Sequence, residues 1–216
     1  MDKKDLLKYN VFIFDWDGTL NSMRLILKLN EKLKRFIKLF WKKKKENNLL
    51  KINLRDSDYM KFIKEQEIKN NLLSYATDLF LIFSKPKLHN DSKQILKILR
   101  QKNKKIVLFT NGGSYRIKKE IEYLNMNKYF NLIISARKLK ALKPDSVGLK
   151  IICKILKIKR SDALLIGDSI DDMISGKNAK IDVCAICDGF DSYKTLEKIN
   201  PKCLFKSIEE FKKNIE

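Results

Sequence analysis

One histidine, His89, is all that this chain of 216 residues carries. A lone imidazole cannot build a histidine metal cage or support a His-based triad, and His89 is expected at the surface near a hinge. Cysteine is almost as scarce, with Cys153, Cys184, Cys187 and Cys203. Cys184 and Cys187 form one C-x-x-C, but no second pair and no neighbouring histidine completes a zinc site. Both lie in a run from Asp182 to Cys187 that reads as a strand. Side chains three apart on a strand point to opposite faces, so a bridge between them is excluded by geometry and buried thiols are expected. No apolar run reaches the roughly 18 residues that span a bilayer. The N-terminus, Met1 to Asp5, is polar and lacks the apolar segment of a signal peptide. A cytoplasmic protein without membrane contact is expected, and no internal repeat is found.

Acid is also in deficit. Lys+Arg number 47 against 26 Asp+Glu, a formal charge of +21. Such a field draws in anions and raises their encounter rate. It is compatible with nucleic-acid binding, or with lysine- and asparagine-rich composition combined with a small anionic substrate. The lysines are spread along the whole chain and no nucleic-acid motif stands out, which favours the second. The oligomeric state is left open.

What is present is a core. At 44% hydrophobic the chain can bury one medium domain and an insertion. Six apolar runs read as strands: Val11–Phe14, Lys105–Phe109, Asn131–Ser135, Ala163–Gly167, Asp182–Cys187 and Cys203–Phe205. Most are continuous rather than alternating, the pattern of strands covered on both faces of a parallel sheet. Helical spacing separates them. Asp91 to Lys102 places Ile95, Leu96, Ile98 and Leu99 on one side, with Asp91 or Ser92 as N-cap. Ser114 to Leu124 and Asp145 to Leu156 repeat the pattern. The alternation predicts an α/β fold with a doubly wound, mostly parallel sheet.

Residues 22–87 interrupt it. Met23 to Lys45 is a helical stripe of Ile26, Leu29, Leu33, Phe36, Ile37 and Phe40, further helical stretches begin near Ser57 and Leu72, and Ser84-Lys85-Pro86-Lys87 discourages helix continuation. The organisation predicted is an all-helical insertion over 22–87, with 1–21 and 88–216 forming the core.

Four motifs stand at strand ends or before helices. Asp15-Trp16-Asp17-Gly18-Thr19-Leu20 follows the first strand, where open α/β sheets bind ligands. Two carboxylates on one glycine turn repel unless a cation or a proton relieves them, which suits a nucleophile, a proton donor and a divalent metal. Thr110-Asn111-Gly112-Gly113 offers a hydroxyl, an amide and backbone N–H groups to phosphoryl oxygens. Lys143-Pro144-Asp145 can present a fixed ammonium. In Gly167-Asp168-Ser169-Ile170-Asp171-Asp172, Asp168 is assigned to metal and Asp171 to capping or the surface.

In this order the motifs resemble the haloacid dehalogenase-like hydrolase superfamily, in particular its phosphatase branch with a helical cap, as in phosphoglycolate phosphatases. The likeness covers nearly the whole chain. It implies a Rossmann-like core and Mg²⁺-dependent hydrolysis of small phosphorylated metabolites. Asp15 is then the nucleophile, forming an aspartyl phosphate, and Asp17 the acid and base, with its backbone carbonyl on the metal. Thr110, Asn111 and Gly112 would hold the phosphoryl group and Lys143 would balance charge. Asp168 would bind Mg²⁺, with Asp172 acting on it through water or a hydrogen bond. An acid at Asp17 argues for phosphate esters over carbon–halogen or carbon–phosphorus bonds. A phosphosugar mutase shares the first half-reaction, and a polynucleotide-end phosphatase would use the positive charge. Asp145-Ser146 departs from the family's Asp-Pro, and Arg137, Lys138 and Lys140 make the approach to Lys143 basic. In the insertion, Arg55 with Asn53, Asp56 or Ser57 is the candidate for substrate selection.

Overall fold

The computed structural model describes residues 6–22, 85–139 and 141–216. They build one six-stranded sheet from β1 (Val11–Phe14), β2 (Lys105–Thr110), β3 (Leu132–Ser135), β4 (Ala163–Gly167), β5 (Asp182–Ile186) and β6 (Cys203–Phe205). The spatial order is β3-β2-β1-β4-β5-β6 and every pairing is parallel. The helices are α1 (Ser92–Gln101), α2 (Ser114–Tyr123), α3 (Val147–Leu156), α4 (Ile170–Ala179), α5 (Tyr193–Glu197) and α6 (Ile208–Lys213).

The continuous apolar runs are explained by burial on both faces. Along β1, Phe12 and Phe14 enter one cluster with Ile95 of α1, Ile117 of α2 and Phe211 of α6. Val11 and Ile13 enter the other with Leu149 of α3, Met173 of α4 and Leu196 of α5. All four β1 side chains are fully buried. Phe211 meets Phe14 and Phe205 edge-on at 6.1 and 5.8 Å, contacts worth about 0.5–1.5 kcal/mol each beyond area burial. Cys184 joins the first cluster and Cys187 packs on the second, so the two thiols do lie on opposite faces, and all four cysteines are free. No helix among the described residues is long and apolar enough to cross a membrane.

The chain winds β1, β2, β3 in one direction and then returns to place β4 against the other edge of β1. The order reverses between β1 and β4, and their carboxyl ends form the crevice where such sheets take ligands. The residues after β1 and β4 are Asp15 and Asp168.

Several details differ from the sequence expectations. Neither candidate caps α1 with its side chain. Ser92 Oγ donates to the Leu20 carbonyl at 2.9 Å, and the Asp91 carboxylate accepts from Lys212 Nζ at 2.7 Å. Helix α3 begins at Val147 rather than Asp145, because the Asp145 carboxylate accepts the Val147 N–H at 2.7 Å. His89 is buried, not at the surface. Its backbone N–H reaches the Leu20 carbonyl, Ser22 N–H reaches the Lys87 carbonyl, and Asn21 bridges to Leu88. The segments Leu20–Ser22 and Lys87–His89 are thereby tied to each other, and His89 is drawn inside. With seven glycines in the chain, left-handed turns fall on Asn103, Asn125, Lys157, Lys180 and Asn200. Residues 23–84 of the expected helical insertion, with Arg55, Asn53, Asp56 and Ser57 among them, and Lys140 lie outside the described residues.

Candidate active site

Asp15 directly follows β1, and its N–H continues the ladder to the Ile166 carbonyl of β4 at 2.9 Å. That bond fixes the backbone from which the carboxylate projects. Gly18 closes the turn at φ +93°, and a Cβ there would stand 2.2 Å from Asp168 Oδ2. Glycine is needed on both counts, the backbone angle and the close approach.

Lys143 is the organising cation. Its Nζ donates to Asp15 Oδ1 and Asp172 Oδ1, each at 2.6 Å, and to the Phe109 carbonyl at 3.2 Å. The residue is 4% exposed. The Asn111 amide, expected among the phosphoryl ligands, holds Lys143: Nδ2 donates to its carbonyl at 3.1 Å and Oδ1 accepts its N–H at 2.8 Å. Thr110 Oγ1 accepts the Gly112 N–H at 3.0 Å, which tightens the turn after β2. Arg137 reaches the Asn111 carbonyl at 3.4 Å, while Lys138 is exposed.

Asp168 is fully buried and held at both oxygens, by Thr19 Oγ1 at 2.8 Å and by the Phe190 N–H at 2.7 Å. Ser169 is the N-cap of α4, and it forms a reciprocal capping box with Asp172. Of the two roles expected for Asp171, capping or the surface, capping falls to Ser169 and Asp172, and Asp171 is half-buried. The Asp172 Oδ2 accepts from Ser169 Oγ at 2.6 Å while its Oδ1 meets Lys143. One residue thus starts the helix and enters the site.

One carboxylate oxygen from each of Asp15, Asp168 and Asp172 lies within 4.8 Å of the others. Burial pushes Asp15 up from 3.8 to about 7; the Lys143 ammonium opposes this, and the Asp172 and Asp17 carboxylates add to it. Asp168 is pushed well above the ordinary carboxylate range by burial and by Asp15 and Asp172. Burial would lower Lys143, but Asp15 and Asp172 outweigh it and raise the ammonium. Three buried carboxylates cluster where one ammonium bonds two of them, leaving excess negative charge that desolvation makes costly. An all-oxygen donor set of this kind fits a hard divalent cation such as Mg²⁺.

Asp17 stands apart from this cluster. Arg116 of α2 holds its carboxylate, with Nη1 on Oδ1 at 3.0 Å and Nη2 on Oδ2. Arg116 also meets Glu120 Oε1 at 3.0 Å, and Trp16 Nε1 donates to Glu120 Oε2 at 2.6 Å. Trp16 and Thr19 lie in the first motif but carry no role in the sequence reading, and Arg116 and Glu120 are not singled out there. The one local signal was the i,i+4 spacing of Arg116 and Glu120 on a helix, and surface pairs with that spacing are common.

Residues 12–186 match the family model described as haloacid dehalogenase-like hydrolase. The chain is 24% identical over 217 residues to a phosphoglycolate phosphatase of Colwellia psychrerythraea, covering 95% of this chain and 96% of that one. It is 29% identical over 106 residues to a phosphoglycolate phosphatase of Psychrobacter arcticus, covering 49% of this chain and 46% of the relative, so that match spans less than half of either. Among solved structures, a haloacid dehalogenase-like family hydrolase of Streptococcus pneumoniae superposes with a TM-score of 0.68 at 15% identity, covering 98% of this chain and all of that one. With the family model matched over most of its length and the sheet, switch point and acidic crevice in place, the chain belongs to the haloacid dehalogenase-like hydrolases.

Proposed function

We propose that the protein is a Mg²⁺-dependent phosphatase of small phosphorylated metabolites, working through an aspartyl phosphate on Asp15. The observation that carries the reading is the buried cluster of Asp15, Asp168 and Asp172, with Lys143 bonded to Asp15 and Asp172 and a second acid, Asp17, two residues from the first. Asp15 attacks phosphorus, the bond to the leaving oxygen breaks, and Asp17 supplies the proton that oxygen needs. Asp17 then takes a proton from the attacking water, the bond between phosphorus and Asp15 breaks, and phosphate leaves. Lys143 holds one Asp15 oxygen, orienting the other for attack. Thr110 and the turn after it are assigned to the phosphoryl oxygens, and Lys143 to the charge between them and Asp15. Asp15, Asp168, Asp172 and the Asp17 backbone carbonyl would hold Mg²⁺, which when bound neutralises the charge that otherwise keeps an anionic phosphate from an anionic nucleophile. The names of the relatives make phosphoglycolate the first substrate to try. A net charge of +21 favours encounter with such an anion.

The direct test is release of inorganic phosphate from an aryl phosphate with and without Mg²⁺. Folded protein that shows no metal-dependent turnover contradicts the reading. The pH dependence of metal binding has a definite sign. Mg²⁺ needs ionised carboxylates, and protons compete for Asp15 up to about pH 7 and for Asp168 as well. The rise in melting temperature produced by Mg²⁺ should be small below pH 7 and grow as pH passes through it. An Mg²⁺ shift that is largest in acid would contradict this assignment of the site.

Residues 22–87 are assigned to a helical cap that selects the leaving group, with Arg55 contacting it. Arg55→Ala should reorder the ranking of phosphorylated metabolites by kcat/KM while leaving an aryl phosphate turned over as before. An unchanged ranking removes Arg55 from the selection.

A further inference from the structure

Beyond the groups assigned above, a set of buried polar side chains is linked on the Asp17 side of the turn. Trp16 lies between the two acids in sequence, and its side chain points away from them into the core on the first face of the sheet. There its Nε1 donates to Glu120 Oε2 at 2.6 Å. Glu120 accepts from Arg116 Nη1 at 3.0 Å, and Arg116 returns to both oxygens of Asp17. The ring starts at one residue of the turn and closes on the next. Arg116 is 2% exposed and Glu120 5% exposed, yet the Asp17 side chain keeps 18% of its surface open. The buried members hold the member that faces the crevice.

We propose that Arg116 is a positioning residue for proton transfer: its guanidinium fixes the plane and place of the Asp17 carboxylate, and Glu120 and Trp16 fix the guanidinium. The proposal rests on the phosphatase reading, in which Asp17 moves the proton. A guanidinium bound to both oxygens of a carboxylate sets its orientation as well as its distance, which a point charge cannot do. Proton transfer demands such control, since a displacement of about 1 Å can cost about 10²-fold in rate. A second observation agrees. A Cβ on Gly112 would stand 2.4 Å from Arg116 Nη2 and 2.9 Å from Ile117 Cδ1. Glycine in the turn after β2 therefore clears the space in which the guanidinium reaches Asp17. A wish for stability does not account for the arrangement, because buried ion pairs often add little over apolar side chains of equal volume.

Removing Arg116 alone would strand Glu120, whose carboxyl burial already pushes upward, so the working variant is Arg116→Met with Glu120→Gln. It is compared with wild type, Glu120→Gln alone, and the same pair of changes in an Asp17→Asn background. kcat/KM is measured on an alkyl phosphate and on a nitrophenyl phosphate, whose leaving group departs without a proton. The expected loss is about 10²-fold on the alkyl ester and several-fold less on the nitrophenyl ester. In the Asp17→Asn background the same changes should cost less than about twofold, since the group they position is gone. Arg116→Lys should recover little, because an ammonium cannot hold both oxygens. Equal losses on both esters, or an equal loss in both backgrounds, would show a structural role only and overturn the proposal. If wild type releases phosphate from no ester, the phosphatase reading falls by itself. Denaturant unfolding of Asp17→Asn, of Arg116→Met and of the two together, all in the Glu120→Gln background, then judges the hold. About tenfold coupling in the unfolding equilibrium supports it, and additive effects overturn it.

Discussion

Asp15→Asn should lose phosphate-ester turnover by about four to six orders of magnitude, as expected for a covalent nucleophile replaced by a neutral amide. The same substitution should not weaken the fold at neutral pH. Burial raises Asp15 to about 7, with Asp172 and Asp17 adding to the rise against Lys143. A carboxyl whose folded value is raised contributes stability below its ordinary 3.8, and that contribution is lost as pH climbs through about 7. An amide of the same shape does not lose it. Asn at this position also ends repulsion with Asp168 and Asp172, while Lys143 keeps Asp172 as a partner. In the absence of metal, the variant should melt at or above the wild-type temperature, by a margin that grows with pH through about 7. The gain fits the general opposition between active-site charge and stability. The measurements are phosphate release under saturating substrate and melting curves across that pH range. Residual turnover within tenfold of wild type would dismiss Asp15 as nucleophile.

Much of this was legible in the sequence because it is encoded locally. The runs at β1 and β4 were read to the residue, since strands buried on both faces leave an apolar stretch with abrupt ends. Asp15 and Asp168 follow those ends directly, so placing the strands placed the acids. The α2 stripe of Ile117 and Ile121 was also plain. That stripe says which residues are buried but not which partners a polar neighbour meets. Arg116 finds Asp17 across 99 positions, and Trp16 finds Glu120 across 104. Arginine and glutamate four apart on a helix usually mark a solvated face, and only the fold turns this pair inward. Asn111 shows the same limit. Its amide was rightly placed at a strand end, but its partner is the Lys143 backbone, 32 positions on. His89 was misplaced because the pairing of Lys87–His89 with Leu20–Ser22 is tertiary and leaves no periodic mark. For Asp171 the sequence leaves capping or the surface open, because a run of consecutive polar residues does not say which one is Ncap; the box formed by Ser169 and Asp172 does.

Lys143→Met should destabilise the metal-free protein more than any other single change in the site, by about 3–5 kcal/mol, the cost of removing one partner from a buried ionic set. Methionine fills a similar volume, so the loss is electrostatic rather than a cavity. Asp15 and Asp172 each lose a bond of 2.6 Å. Lys143 is also the group that opposes burial at Asp15, and without it Asp15 is pushed up further. The variant can escape the charge by binding a proton, so its deficit should shrink as pH falls below 7 and widen above it. Divalent metal offers a second escape, because the remaining carboxylates carry the full excess charge. Mg²⁺ should raise the melting temperature of Lys143→Met by more degrees than it raises wild type. Turnover should stay down by about 10²–10³-fold even where Mg²⁺ has restored the fold, as for loss of a positioned charge in a water-poor site. Denaturant melts over pH, with and without Mg²⁺, separate these effects. A deficit independent of pH and metal would mean that Lys143 acts through packing, and the account of it as the cation that holds Asp15 and Asp172 together would have to be abandoned.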